Sequence, residues 1–216
     1  YRAAEMTSQA LRAYHQALDD DPSHPEAHFG YAEFLVSLGR TRAAMRAYER
    51  AVELAPDRAY WVCKLAEAYF RLGKAETAFR TFERATHMAP DDGWYHYKLA
   101  DAYFKSGRIQ DAVRAYRRAI DCSPLDDYYH VCLAAAYMCL NRMSEARAVF
   151  ERTVRLRPHN ACYHYLLAEV LLNMGIKDEA RKHFEMAGRL DDYDLDYVER
   201  VWARAHNGRA AHVQET

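Results

Sequence analysis

Glycine and proline are scarce in this chain, with 8 glycines and 6 prolines among 216 residues. We find no linker built from these residues and no sign of a second domain. The formal net charge is only −1, which excludes an overall field that would draw the chain to nucleic acid or to an anionic membrane. No apolar run approaches the roughly 18 residues of a membrane-spanning helix, so we expect no insertion into a membrane.

Cysteines are few, odd in number and without a C-x-x-C motif. Cys132 and Cys139 lie too far apart along one predicted helix to form a disulfide. We therefore predict reduced thiols and a cytoplasmic location, with a redox or metal role as the alternative. Because the chain begins at Tyr1, within a repeat, we interpret it as part of a larger protein and give little weight to the missing signal peptide. The cysteines are Cys63, Cys122, Cys132, Cys139 and Cys162.

A pattern recurs every 34 residues, without an insertion, from Pro25 to Asp194. Each copy has a large residue followed by alanine, then a second alanine, then an aromatic residue. The large–small pairs are Tyr31-Ala32, Leu65-Ala66, Leu99-Ala100, Leu133-Ala134 and Leu167-Ala168. The later alanines are Ala44, Ala78, Ala112, Ala146 and Ala180, and the aromatics are Tyr48, Phe82, Tyr116, Phe150 and Phe184. Such a period is typical of a solenoid of helix pairs that approach closely at the alanines.

Glycine marks the end of the first helix in most copies. At that point the chain must leave the helix in a left-handed conformation, which glycine adopts without strain. Asn141 takes this place in the fourth copy, and asparagine is the next-best residue for it. The four glycines are Gly39, Gly73, Gly107 and Gly175.

Together with a proline near the end of the first four copies, replaced by Asp192 in the last copy, these positions make residues 25–194 resemble the tetratricopeptide repeat family. The resemblance implies an all-α fold, a right-handed superhelical solenoid of antiparallel helix pairs. We predict a single solenoid over residues 1–206 and a disordered tail over 207–216. Within the solenoid we predict a partial repeat at 1–24, full repeats at 25–58, 59–92, 93–126, 127–160 and 161–194, and a capping helix at 193–206.

The predicted capping helix is amphipathic. A terminal helix of a solenoid must bury the last repeat on one side and face water on the other. Its apolar face holds Tyr197, Val198, Val201 and Trp202, and Glu199, Arg200 and Arg204 lie on the opposite face.

Histidine recurs at the fourth repeat position, where the family often has tryptophan. Equivalent atoms of neighbouring repeats are about 8–10 Å apart, too far to share one zinc ion. We predict that these rings fill the space between repeats and form hydrogen bonds with backbone or tyrosine. The four histidines are His28, His96, His130 and His164.

The candidate binding surface lies on the first helix of each repeat. The resemblance implies a concave wall of positions two, five, nine, twelve and thirteen. Tyrosine and tryptophan are frequent at positions two and five, and both anchor ligands well. Acidic residues at position nine without a basic neighbour on their own helix suit a ligand cation, whereas Asp101 is neutralised by Lys98 and Lys105. The candidates are Phe29, Glu33, Tyr60, Trp94, Tyr97, Tyr128, Tyr165 and Glu169.

The sequence predicts a binding protein rather than an enzyme. It has no nucleophile elbow and no glycine-rich phosphate loop, so we expect no catalytic residues, metal or cofactor. We predict a scaffold that binds a partner protein, peptide or helix in the concave groove, and no nucleic acid. Two alternatives stay open. A polysaccharide could stack on the aromatic row, as in bacterial polysaccharide export scaffolds, or the groove could hold a segment of the same chain or a second copy in a homo-oligomer.

Overall fold

The computed structural model describes residues 2–190, 194 and 196–205, and every regular element in this part of the chain is a helix. The predicted tail at 207–216 and the ends of the predicted capping helix lie outside the described residues. None of the described helices is long and apolar enough to cross a membrane. The helices are α1 (Arg2–Asp20), α2 (Pro25–Ser37), α3 (Thr41–Leu54), α4 (Ala59–Arg71), α5 (Ala75–Met88), α6 (Gly93–Lys105), α7 (Ile109–Cys122), α8 (Asp127–Cys139), α9 (Met143–Leu156), α10 (Ala161–Asn173), α11 (Lys177–Arg189) and α12 (196–205).

The chain divides into two compact units, Tyr1–Pro90 and Asp91–Thr216. In the first unit α2 packs with α3 and α4 packs with α5. In the second unit the pairs are α6 with α7, α8 with α9, and α10 with α11. The predicted all-helical arrangement of paired helices is therefore confirmed within each unit.

Alanine allows the close approach within each pair. The alanines at the eighth and twentieth repeat positions are essentially inaccessible to solvent, because larger neighbours close over them. They are Ala32, Ala44, Ala66, Ala78, Ala100, Ala112, Ala134, Ala146, Ala168 and Ala180.

The first helix of each repeat ends as predicted. The backbone φ angle is +71° at Gly39, +74° at Gly73 and +79° at both Gly107 and Gly175. Asn141 has a φ of +57°, so it supplies the same left-handed turn in the fourth repeat. This conformation is costly for other residue types, which explains the residue choice at these positions.

Side-chain caps fix where the first helices of the second unit begin. Asp92, Asp126 and Asn160 accept hydrogen bonds from backbone N–H groups of the first turn at 2.9, 3.0 and 3.2 Å. Each cap satisfies a donor that would otherwise lack a partner at the helix start. The caps also set the position of Trp94 and Tyr128, which follow two residues after Asp92 and Asp126.

The histidines at the fourth repeat position have a structural role. In three repeats the Nε2 atom of the histidine lies within hydrogen-bond distance of the carbonyl oxygen of the proline that ends the preceding second helix. Because a carbonyl only accepts, the ring nitrogen is the donor. This confirms the predicted backbone bonding and links successive repeats. The pairs are His28–Pro22 at 2.9 Å, His130–Pro124 at 3.1 Å and His164–Pro158 at 3.0 Å.

The groups that could carry chemistry are dispersed. None of the five cysteines forms a disulfide in the described part of the chain, and all but Cys122 are buried. Across the described residues, no three His, Cys, Asp or Glu side chains are grouped closely enough to hold a metal ion.

Candidate functional site

In the first unit, three of the candidate residues lie together on α2 and α4. The Phe29 ring centroid is 5.9 Å from that of Tyr60, and Tyr60 is 44% exposed. Lys64 Nζ lies 5.5 Å from the Tyr60 ring centroid and 3.7 Å from both Glu33 Oε1 and Glu67 Oε2. Burial opposes the charge of Lys64, but Glu67 and Glu33 outweigh it and raise the pKa of Lys64. Glu33 therefore has a cationic partner, which comes from the next repeat rather than from its own helix.

In the second unit, Tyr97 and Tyr128 meet across α6 and α8. Their hydroxyl oxygens are 3.4 Å apart and their ring centroids 5.5 Å apart. Tyr97 also stacks on Tyr129 at 5.4 Å. Burial, followed by the hydrogen bond with Tyr128, raises the pKa of Tyr97, so its hydroxyl stays protonated at neutral pH. Trp94 lies at the start of the same helix, with Lys98 Nζ 5.1 Å from its ring centroid.

The last two candidates lie on α10. Tyr165 packs edge-on against Phe184 of α11, with ring centroids 5.2 Å apart. It also borders a cavity of about 390 Å³ whose other lining residues include Ala187 and Leu190. Glu169 is half-buried one turn further along α10.

Two further rows of mostly aromatic residues lie on the first helices. The row at position three is buried, with Trp61, Tyr95, Tyr129 and Tyr163 all below 10% exposure. The row at position twelve is mixed, because Phe104 and Met138 are buried while Leu172 is 45% exposed.

The C-terminal helix α12 inserts an arginine between α6 and α7. Arg204 Nη2 donates a hydrogen bond to Asp101 Oδ1 at 2.8 Å and another to the hydroxyl of Tyr116. The guanidinium carbon lies 4.6 Å from the ring centroid of Phe104. Asp101 also pairs with Lys105 at 2.6 Å, which confirms one of its two predicted lysine partners.

The helix α12 also contacts α8 and α10. The Cys139 thiol lies 3.0 Å from the carbonyl oxygen of Ala205, and the Tyr197 ring centroid lies 6.4 Å from that of Tyr163. A cavity of about 200 Å³ separates α12 from α8. It is lined by Tyr128, Val131, Cys132, Ala135, Tyr197, Arg200, Val201 and Arg204.

We call the surface that α6, α8 and α10 present to α12 the first-helix face. The contacts above place α12 on this face, where it touches α10 of the last repeat and reaches α6 two repeats away. The amphipathic pattern was correctly predicted, since Val198 and Val201 are buried and Glu199 is exposed. Arg204, however, turns inward, because Asp101 and Tyr116 supply buried acceptors for its guanidinium.

The repeats match known family models. Models of the tetratricopeptide repeat match residues 1–68, 63–127 and 133–194. The chain belongs to the tetratricopeptide repeat family. A comparison with curated proteins finds no match to the sequence.

Several solved structures share the tetratricopeptide repeat fold of this chain. MamA from Desulfovibrio magneticus RS-1 matches with a TM-score of 0.65 and 16% identity over 77% of this chain and 94% of that chain. YrrB, a TPR protein with an unusual peptide-binding site, matches with a TM-score of 0.64 and 17% identity over 88% of this chain and 98% of that chain. TTC0263, a thermophilic TPR protein of Thermus thermophilus, matches with a TM-score of 0.54 and 22% identity over 84% of this chain and 98% of that chain. At these identities the likeness shows the fold alone.

The tetratricopeptide register relates α12 to the predicted binding wall. Most residues that contact or border α12 occupy the positions that the family resemblance assigned to that wall. Tyr128 stands at position two, Val131 at five, Asp101 and Ala135 at nine, Phe104 at twelve and Cys139 at thirteen, whereas Tyr116, Cys132 and Tyr163 stand at other positions. Sequence reasoning missed Asp101, Phe104 and Tyr116 as a group. The one sequence signal for this group was Cys132. It stands at position six, where the second and third repeats have Lys64 and Lys98.

Proposed function

We propose that this chain is a non-enzymatic scaffold that binds a segment of a partner protein along the first helices of its repeats. Scaffolding of other proteins is typical of the tetratricopeptide repeat family, to which the chain belongs. The candidate ligand contacts are the aromatic and acidic residues of both units. They are Phe29, Glu33 and Tyr60 in the first unit and Trp94, Tyr97, Tyr128, Tyr165 and Glu169 in the second.

The observation that carries the proposal is α12 itself. A short amphipathic helix already lies on the first-helix face, with Val198, Val201 and Ala205 buried and Arg204 bound to Asp101. A helix laid by its apolar face against a groove is a common way for proteins to recognise one another. A surface that accepts one such helix has the width and the chemistry to accept another.

A peptide ligand fits the aromatic candidates better than a sugar does. Sugar stacking needs open ring faces, but lysine Nζ atoms lie 5.5 Å from the Tyr60 ring and 5.1 Å from the Trp94 ring. Lys64 is already paired with Glu33 and Glu67, and Lys98 places a cation beside the Trp94 ring, which suits a peptide with mixed apolar and acidic side chains. Five cysteines outside disulfides support work in a reducing compartment such as the cytoplasm.

The test is selection of peptides from a phage-displayed random library against the full chain, followed by affinity measurement in solution. The double variant Trp94→Ala/Tyr128→Ala removes two proposed anchors. Each anchor contributes about 2 kcal/mol or more, and tenfold in affinity corresponds to about 1.4 kcal/mol. We therefore expect selected peptides to bind the double variant at least about thirtyfold more weakly than the wild type. The matched control is Met186→Ala. Met186 is an exposed residue of α11, the second helix of the last repeat, and this variant should leave binding unchanged.

Two results would count against this function. One is a library that yields no peptide sensitive to Trp94 and Tyr128, with both variants folded by circular dichroism. The other is retention of oligosaccharides on a glycan array in place of peptides, which would favour the carbohydrate alternative.

A further inference from the structure

In the first unit, Glu33 at position nine is neutralised by a residue of the following repeat. The Tyr48 hydroxyl donates a hydrogen bond to the Glu33 carboxylate. Lys64, at position six of the following repeat, brings its Nζ to 3.7 Å from the same carboxylate. Acid, tyrosine and lysine thus form a self-contained group that needs no cation from elsewhere.

The second unit has an acid and a tyrosine at the same positions but no lysine from the following repeat, and Asp101 pairs with Lys105 of its own helix. Asp101 and Tyr116 stand at the repeat positions of Glu33 and Tyr48, and Cys132 stands at the position of Lys64. Burial raises the pKa of the Cys132 thiol to about 11, so this residue supplies no charge. Its side chain is also much shorter than lysine, which leaves room beside Asp101. Arg204 of α12 occupies that room.

The pocket is built for a guanidinium group. The Asp101 carboxylate and the Tyr116 hydroxyl accept hydrogen bonds from one nitrogen, and the ring of Phe104 lies beneath the guanidinium plane. Arginine presents a planar cation that can donate several hydrogen bonds and stack on an aromatic face, whereas lysine presents a point charge. Side-chain exposure is 15% for Asp101 and 23% for Arg204, so water screens the pair only in part.

The helix that fills the pocket fits the first-helix face imperfectly. A cavity of about 200 Å³ remains between α12 and α8. The Arg204 Nε atom is buried without a hydrogen-bond partner among the described residues. An unsatisfied buried donor and unfilled apolar space both reduce the stability of a docked helix. A helix that corrects either defect would bind this face more tightly than α12.

We propose that the pocket of Asp101, Phe104 and Tyr116 is an arginine-recognition site for a partner helix, and that α12 occupies it as an intramolecular competitor. This inference rests on the scaffold function proposed above and names its partner. The partner is an amphipathic helix with apolar residues at i and i+4 and arginine at i+7. That spacing is the one by which Tyr197, Val201 and Arg204 reach the first-helix face.

The probe for the test is a fluorescein-labelled synthetic peptide with the sequence of residues 194–206. Its binding is measured by anisotropy against the full wild-type chain and against full-length Val201→Asp/Arg204→Ala, which weakens docking of the chain's own helix. A tethered helix competes at an effective concentration of the order of millimolar. We therefore expect the peptide to bind the double variant at least tenfold more tightly than the wild type. Adding Asp101→Asn to the double variant should remove that gain.

A second peptide tests the chemistry of recognition. Citrulline in place of arginine at the position of Arg204 keeps the shape of the side chain and removes its charge. We expect this peptide to bind the double variant at least tenfold more weakly than its parent. Equal affinity of the two peptides would overturn arginine recognition, and equal affinity of the parent peptide for wild type and double variant would overturn competition by α12.

A measurement on the wild-type chain covers the case in which the double variant does not fold. Saturating unlabelled peptide should displace α12 and speed hydrogen exchange of the amides at 196–205 at least tenfold. Unchanged exchange at saturation would overturn the proposal. If library peptides bind through Trp94 and Tyr128 while α12 stays protected from exchange, the scaffold function stands and this inference alone fails.

Discussion

Ala100 of α6 and Ala112 of α7 show how closely the helix pairs approach. Both side chains are fully buried, with 0% exposure. Replacing Ala100 with leucine adds volume where no space is left, and overpacking of this kind costs roughly 1–3 kcal/mol. We expect Ala100→Leu to lower the melting temperature clearly in a thermal scan. Ala148→Leu, at an exposed position of α9, should change it little, and equal melting temperatures for the two variants would place Ala100 outside the helix contact.

The pair of His164 and His183 makes stability depend on pH. Their Nδ1 atoms are 3.0 Å apart, and His164 Nε2 donates to the Pro158 carbonyl. Burial, followed by the proximity of His164, lowers the pKa of His183 below its usual value. The folded state therefore binds this proton less readily than the unfolded state. The resulting stability is present above the unfolded pKa of about 6.5 and is lost as the pH falls further.

His183→Gln removes this titration. We expect urea denaturation between pH 7.5 and pH 5 to show a smaller loss of unfolding free energy in the variant than in the wild type. His87→Gln is the control on a histidine whose side chain is exposed. An identical pH dependence in wild type and His183→Gln would show that His183 stays readily protonated in the folded chain.

Some residues of the site could be predicted from the sequence and others could not. The exposed aromatics Tyr60 and Tyr128 follow from register, because position two repeats every 34 residues. The partnership of Asp101 with Arg204 does not, since 103 positions separate the two in sequence. Charge spacing along α6 indicated only Lys98 and Lys105 as partners of Asp101. No local sequence pattern predicts a contact between α6 and a residue as distant in sequence as Arg204.

At the scale of the helix, the start of α6 depends on a glycine. A Cβ atom at Gly93 would lie 2.8 Å from both the Ala119 carbonyl oxygen and Ser123 Oγ. The Ala119 carbonyl oxygen belongs to the backbone and has little freedom to move, so we expect Gly93→Ala to destabilise the second unit. Gly188→Ala in α11 is the matched control, because its Cβ would meet nothing within 4 Å. Alanine is the better helix former, so the control should be neutral or stabilising by up to about 1 kcal/mol.

Thermal unfolding of the two glycine variants checks this contrast. A lower melting temperature for Gly93→Ala alongside an unchanged or higher value for Gly188→Ala is the expected result. Equal effects would mean that α6 and α7 separate easily at this point and that the close approach is not needed.

The helix α12 was predictable as an element but not in its docking. Its apolar spacing defines an amphipathic helix, and Val198 and Val201 are indeed buried. A terminal amphipathic helix has two apolar surfaces available in a solenoid, the end of the last repeat and the first-helix face. Local pattern cannot choose between them. The choice depends on an acceptor pair, Asp101 and Tyr116, that lies two repeats away from the last one.

At the scale of the whole molecule, periodicity makes the paired-helix architecture predictable and departures from periodicity mark the site. Repetition of alanine, glycine and aromatic positions is enough to define each helix pair. The arginine site proposed above lies where one repeat differs from others, because Cys132 replaces the lysine of the second and third repeats. Departures of this kind have no period, so one sequence alone does not reveal which of them matter.

The most direct test of helix binding by the first-helix face is a double-mutant cycle between Asp101 and Arg204. The unfolding free energy is measured in urea for wild type, Asp101→Asn, Arg204→Met and the double variant. Contacting residues in a shared network couple by about 0.5–3 kcal/mol, and we expect a value of roughly 1 kcal/mol or more for this partly buried pair. The control cycle is Asp194 with Arg200, an exposed pair 3.8 Å apart, which should couple by less than about 0.5 kcal/mol. A coupling near zero for Asp101 and Arg204, with every variant folded, would contradict the seating of α12 on this face.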